Sequence, residues 1–179
     1  MHRPLPRFER RCVAAGLLVA LLAACAAVPQ GVPAPLQPGG SSSPALTLAA
    51  RGVQVYECRS AGTAAAPAWA FVAPEAELLD AQGRLAGHHG AGPFWQLRDG
   101  SRIAGSVAAR ADAPEPGAIP WLLLTARAES APGALAAVTH VQRINTRGGV
   151  APATGCSPAT LGAQARVAYR ADYRFLVAR

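Results

Sequence analysis

The sequence predicts an all-β single domain, an antiparallel β-sandwich or small β-barrel with Gly/Pro-rich loops. Three observations carry that expectation. Short stretches of apolar/polar alternation recur along the chain, 18 Gly and 16 Pro punctuate them at close intervals, and no long amphipathic helical pattern interrupts the series. A length of 179 residues suits one core rather than several.

Taken in order, residues 53–59 and 69–73 read as two strands joined by a loop of small residues, and 76–79 runs into the turn Asp80-Ala81-Gln82-Gly83. Residues 94–97 and 102–110 flank Arg98-Asp99-Gly100-Ser101, whose Asp-Gly step is a strong hairpin signal. Within the second of these strands Ile103, Gly105, Val107 and Ala109 are expected to share a face. Residues 119–126, with Trp121 and three consecutive Leu, are apolar on both faces and suit a central strand, although a short buried helix fits the same run. Residues 139–146 read as another strand, while Leu135, Val138 and Val141 also keep a helical spacing. The clearest alternation closes the chain: Val167, Tyr169, Tyr173, Phe175 and Val177 stand at odd positions, and Arg166, Arg170, Asp172 and Arg174 at even ones. That is the pattern of a half-buried strand.

The N-terminus has a different character. Residues 1–11 are basic, residues 13–24 are an apolar run, and Leu22-Ala23-Ala24-Cys25 ends it, which is the layout of a secretory signal over residues 1–24. The run Leu-Ala-Ala-Cys resembles the lipobox of bacterial lipoproteins, and that resemblance makes Cys25 the lipidated first residue of the mature chain. An ordinary signal cleaved near Ala24 to Ala26 is the alternative, and it would leave a secreted protein. Ala26 after the Cys resembles lipoproteins sent to the outer membrane, so the expected place is the cell envelope, facing the periplasm. Residues 25–45, rich in Pro, Gly and Ser, read as a flexible tether, with a β-rich domain over 46–179. The first partner expected is therefore the membrane, through its lipid anchor.

The formal net charge of +7 raises the question of nucleic acid. Four of the 17 Arg and one of the ten acids fall within residues 1–24, leaving 13 Arg against nine acids, scattered along the remainder. No basic cluster survives, and no nucleic-acid partner is expected. With Cys12 removed and Cys25 acylated, Cys58 and Cys156 form an even pair, for which an oxidising compartment predicts a disulfide.

Several stretches together resemble one family: Gly52-Val53-Gln54-Val55-Tyr56-Glu57-Cys58, His89-Gly90-Ala91-Gly92-Pro93-Phe94-Trp95, Asp99-Gly100-Ser101, Ile119-Pro120-Trp121 with its three Leu, residues 142–149, Gly155-Cys156, and Tyr169 with Tyr173. These are similar to the secreted bacterial and fungal family catalogued as domain of unknown function 3455, over about Leu46 to Phe175. The resemblance implies secretion and a β-rich domain and brings no catalytic residue or ligand. A dehydrogenase label attached to some fungal relatives finds no support. The segment Gly87-His88-His89-Gly90-Ala91-Gly92 lacks the order and the following helix of a dinucleotide-binding loop.

Candidate chemistry is sparse. His88 and His89 are adjacent, so on a strand they face opposite ways and do not readily share a metal; a site of His89, His140 and a carboxylate such as Asp99 is geometrically open, but no spacing resembles a zinc signature, and neither metal nor cofactor is expected. Gln142, Arg143 and Asn145 are long polar residues in an otherwise apolar chain. If they line a pocket with Trp95 and Trp121, they suit an acidic or carbohydrate-like ligand through Arg hydrogen bonds and aromatic stacking; otherwise Asn145, Thr146, Gly148 and Gly149 make the turn ending a strand and Arg143 is a solvated or paired charge. The function expected is a binding or envelope-interaction module with an unidentified small molecule or envelope partner. The alternative is a cofactor-free hydrolase with His89 and Asp99 in its cleft.

Overall fold

The computed structural model describes residues 31–60, 62, 66–130 and 132–179. Eight strands follow one another as a meander: β1 (Ser42–Arg59), β2 (Ala68–Leu79), β3 (Leu85–Gly90), β4 (Phe94–Leu97), β5 (Arg102–Ala111), β6 (Trp121–Ala128), β7 (Val138–Gly148) and β8 (Gln164–Ala178). Each pairs antiparallel with its neighbours, and β1 also pairs with β8 from Ser42↔Ala178 to Glu57↔Gln164, closing the barrel. Closure removes the free edges that an Ala- and Val-rich sheet would otherwise expose.

Eight strands enclose a space that side chains can fill. Here Leu48, Leu78, Ile103, Leu124, Val141 and Phe175 are buried inside, and Leu135 and Ile119, from the loops at opposite ends, join the same core. Trp95 forms its centre, at 5.4 Å from the Tyr173 ring and 6.2 Å from Phe175, both edge-on. Gly105 is required beside it, because a Cβ there would lie 2.7 Å from the Trp95 ring. The two loop ends differ: one carries the 80–84, 98–101 and 129–137 connections, the other the 60–67, 112–120 and 149–163 connections.

The sequence places Ile103, Gly105, Val107 and Ala109 on one face, and a bulge alters this. Between Val107 and Ala109 the β5 register shifts by one, so Val107 pairs with Leu124 whereas Ala109 pairs with Leu123. Ala109 and Ala111 thereby turn outward to a second apolar cluster of Leu36, Trp121, Leu123 and Ile144. That cluster explains why residues 121–124 are apolar on both faces: the inner face packs in the barrel, and the outer face is covered by the N-terminal segment. A 3-10 turn over Ala34–Leu36 buries Leu36 completely, and Gln142 Nε2 donates to its carbonyl at 2.8 Å. Residues 32–45, read as tether, are thus partly docked and partly strand, since β1 begins at Ser42. Their Pro and Ser hid a handful of apolar contacts that are made only in three dimensions.

The disulfide joins Cys58 to Cys156 and ties the end of β1 to the β7–β8 connection. Backbone bonds from Cys58 N to Ala163 O and from Gly162 N to Cys58 O, both 2.9 Å, hold the same junction.

Candidate functional site

The barrel wall is uneven. β2 pairs with β3 only from Ala76↔His89 to Leu79↔Leu85, so its residues 68–75 are paired on the β1 side alone. Across the same end β4 stops pairing with β5 at Phe94↔Ala104, apart from a bond from Gly105 N to Pro93 O, and residues 106–111 pair only with β6. The short β3–β4 hairpin thus leaves a notch between two long strands. Pro74 lies in the one-sided stretch of β2, where a residue with no N–H to donate is tolerated.

A groove of about 610 Å³ opens at this notch, lined by Gly52, Pro74, Ala76, Gly90, Phe94 and His89 and by the charged side chains of Arg51, Glu75, Glu77 and Arg166. The volume lies within the range of small-molecule sites. The charged residues come from the outward faces of β1, β2 and β8, and they are paired. Arg166 forks onto both carboxylate oxygens of Glu75, its Nη1 at 3.2 Å from Oε1, while Arg51 Nη2 stands 3.3 Å from Glu77 Oε2. The Arg166 fork holds the Glu75 carboxyl below its usual range. Gly52 belongs to the groove for a steric reason: a Cβ there would lie 2.0 Å from the Glu75 carbonyl oxygen.

His89 sits on the inward face of β3, 4% exposed, and stacks on Trp95 at 4.7 Å with an interplanar angle of 13°. Its Nδ1 is 2.7 Å from the Phe94 carbonyl oxygen. A carbonyl only accepts, so Nδ1 carries the proton and Nε2 keeps the lone pair. Burial drives the imidazole pKa down to about 4; the Phe94 bond opposes the shift, and nearby Arg143 adds to it. The ring is therefore neutral at neutral pH. His88, its neighbour in sequence, points outward and is exposed.

Arg143 also points inward, half-buried among Tyr56, Tyr169 and Tyr173, and donates from Nε and Nη2 to the Pro120 carbonyl at 3.2 and 2.8 Å. Among the described residues no carboxylate lies within ion-pair distance of it. Tyr169 and Tyr173 approach oxygen to oxygen at 3.4 Å, and burial raises both phenol pKa values.

The residues expected to meet in one pocket are divided between two faces. Trp95, His89 and Arg143 are inside, whereas Trp121 and Gln142 lie outside under the N-terminal segment. Asn145 adopts φ 50°, a left-handed conformation that Asn tolerates, and donates to Asp172 at 2.7 Å. Asp99 lies in the β4–β5 turn, with Oδ1 accepting from the Ser101 N–H and hydroxyl and Oδ2 from the Ala134 N–H, at 2.6–2.9 Å. All its bonds are structural, and they hold its carboxyl below the usual range. Cys25 and residues 1–24, expected to be a signal, lie outside the described residues. Among the described residues no cluster of three His, Cys, Asp or Glu is arranged to hold a metal.

Sequence reasoning missed Arg51, Glu75, Glu77 and Arg166. Arg166 and Glu75 are 91 residues apart, and only the β1 register, which pairs Val53 with Glu75 and Val55 with Arg166, brings them together.

The family described as protein of unknown function (DUF3455) matches residues 38–177. No curated protein and no solved structure matches the chain.

Proposed function

The chain belongs to the DUF3455 family, and from that premise we propose that it is a lipid-anchored cell-envelope protein that binds an uncharged, polyhydroxylated ligand of saccharide type in the groove beside His89. The observation that carries this reading is the groove's balanced charge: two guanidinium–carboxylate pairs, Arg166–Glu75 and Arg51–Glu77, stand beside Phe94 and a neutral imidazole. A hydroxyl both donates and accepts, so a polyol meets arginine N–H donors and carboxylate acceptors in the same groove. A ligand with net charge would face a like charge or have to break a pair. Pro74 and Phe94, one face of whose ring is covered by the Arg102 guanidinium at 3.7 Å from the centroid, add apolar surface to the lining for the C–H face of a sugar.

Binding is favoured over catalysis by the surroundings of the imidazole. His89 Nδ1 is held by a backbone carbonyl, not by a carboxylate that would stabilise a protonated ring, and Asp99 is committed to its turn. The reading requires no cofactor. The anchor rests on the lipobox resemblance of Leu22 to Cys25, and Ala26 supports an outer-membrane, periplasm-facing position.

Calorimetric titration with chitotriose and maltotriose tests the site. Saturable binding to a neutral oligosaccharide is expected, weakened about tenfold or more in Arg166→Leu, because a hydrogen bond to a charged group contributes about 1.5–3 kcal/mol. Binding of acetate or phosphate without binding of either sugar would overturn the proposal.

A further inference from the structure

Among the described residues six large apolar side chains are exposed: Phe71, Val72, Leu85, Val107, Val150 and Leu161. Their placement is uneven. Phe71 and Val72 lie in the first half of β2, Val107 just past the middle of β5, and Val150 and Leu161 in the β7–β8 connection, so five of the six belong to the same half of the barrel. Only Leu85, at the start of β3, belongs to the other. Phe71 is 52% exposed and Val107 55% exposed although their cross-strand partners, Tyr56 and Leu124, are buried; the notch in the wall leaves them uncovered.

The N-terminal segment docks at this same end. Val32 packs on the cluster that includes Ala109, Ala111, Ala113 and Trp121, which are the last residues of β5, its following loop and the first residue of β6. Only six residues separate Cys25 from Val32. Fully extended, that span reaches at most about 25 Å. A chain fixed at Cys25 by lipid therefore holds this end within that distance of the bilayer, a limit that the Leu85 end does not share.

We infer that the end of the barrel carrying Phe71, Val72, Val107, Val150 and Leu161 rests on the bilayer that holds the anchor, with these side chains at the boundary between headgroups and acyl chains. The inference rests on the lipid-anchor reading given above. The charges near this end largely cancel: Arg59 pairs with Glu57, Arg147 with Glu115, and Arg166 with Glu75. The contact is accordingly apolar in kind and insensitive to the lipid's charge.

The test uses the full chain, purified with its acyl groups and reconstituted in phosphatidylethanolamine–phosphatidylglycerol vesicles. An environment-sensitive fluorescent amino acid replaces Phe71, Val107 or Leu161 in turn, and Leu85 as the control, with lipids brominated near the headgroup as quencher. Loss of most of the fluorescence at 71, 107 and 161, with none at 85, is the expected result. Equal quenching at all four positions, or none at any while intact mass confirms acylation, would overturn the docking and leave the anchor standing. An intact mass without acyl chains would remove the anchor, and this inference with it.

Discussion

Gln142 Nε2 donates to the Leu36 carbonyl across 106 residues of sequence, and both residues are buried. That bond fastens the N-terminal segment to the outer face of β7, where Leu36 covers Trp121, Leu123 and Ile144. The segment is therefore part of the fold's energetics and not a passive leash. Leu36→Ala is expected to lower unfolding free energy by about 2–5 kcal/mol, the range for a fully buried Leu. Gln142→Ala should cost about 1–3 kcal/mol by leaving a buried carbonyl unpaired. Urea denaturation measures both; losses within error of zero would mean that the segment does not dock.

His89 gives the barrel an acid-sensitive stability. The unfolded chain takes up this proton near pH 6.5, while the folded chain resists it until about pH 4. Between those values the unfolded state holds more protons, so stability falls as pH falls, by about 3 kcal/mol over the whole window; above pH 6.5 the contribution is constant. Denaturation midpoints between pH 7 and pH 4 should trace that decline. In His89→Gln the slope due to this residue should vanish, whatever the variant's stability at pH 7.

The bridge between Cys58 and Cys156 closes a loop of 98 residues. In the chain-entropy account such a loop restricts the unfolded chain by about 4–5 kcal/mol, and loss of a native bridge commonly costs about 2–5 kcal/mol. The double variant Cys58→Ala/Cys156→Ala should fall within that range by thermal or chemical denaturation. Thiol labelling of the denatured, unreduced protein should leave Cys58 and Cys156 unmodified.

Asp99 separates a structural role from a chemical one. Asp99→Ala removes the acceptor for the Ser101 and Ala134 donors and should destabilise by about 1–3 kcal/mol, while saccharide binding at the groove stays unchanged. A variant of unchanged stability that had lost ligand binding would return Asp99 to the site.

How much of this was legible in the sequence depended on whether a feature was local. The closing alternation from Val167 to Val177 and the Asp99-Gly100 turn announce themselves, because strand period and turn chemistry act within a few residues. β3 did not, since Leu85–Gly90 contains two Gly and two His and has no apolar stripe. The first half of β1 was hidden by Ala, Pro and Ser residues that bury little. His89 was readable as a candidate, and its opposition to His88 follows from strand geometry alone. The same geometry separates Gln142 from Arg143, but the outward burial of Trp121 depends on Leu36, 85 positions earlier, which no local pattern signals. The groove's carboxylates and guanidiniums were invisible for the same reason: they sit on what reads as a solvated strand face, and only barrel closure sets them beside His89.

If the notch beside His89 is the binding site, a heteronuclear NMR titration of the folded domain with chitotriose and maltotriose locates the ligand there residue by residue. The predicted result is a set of saturable shifts confined to residues 51–53, 73–77, 88–91 and 94 and to Arg166. Shifts centred instead on the Asp99 turn or beneath the Leu36 segment, or no shifts with either sugar, would contradict it.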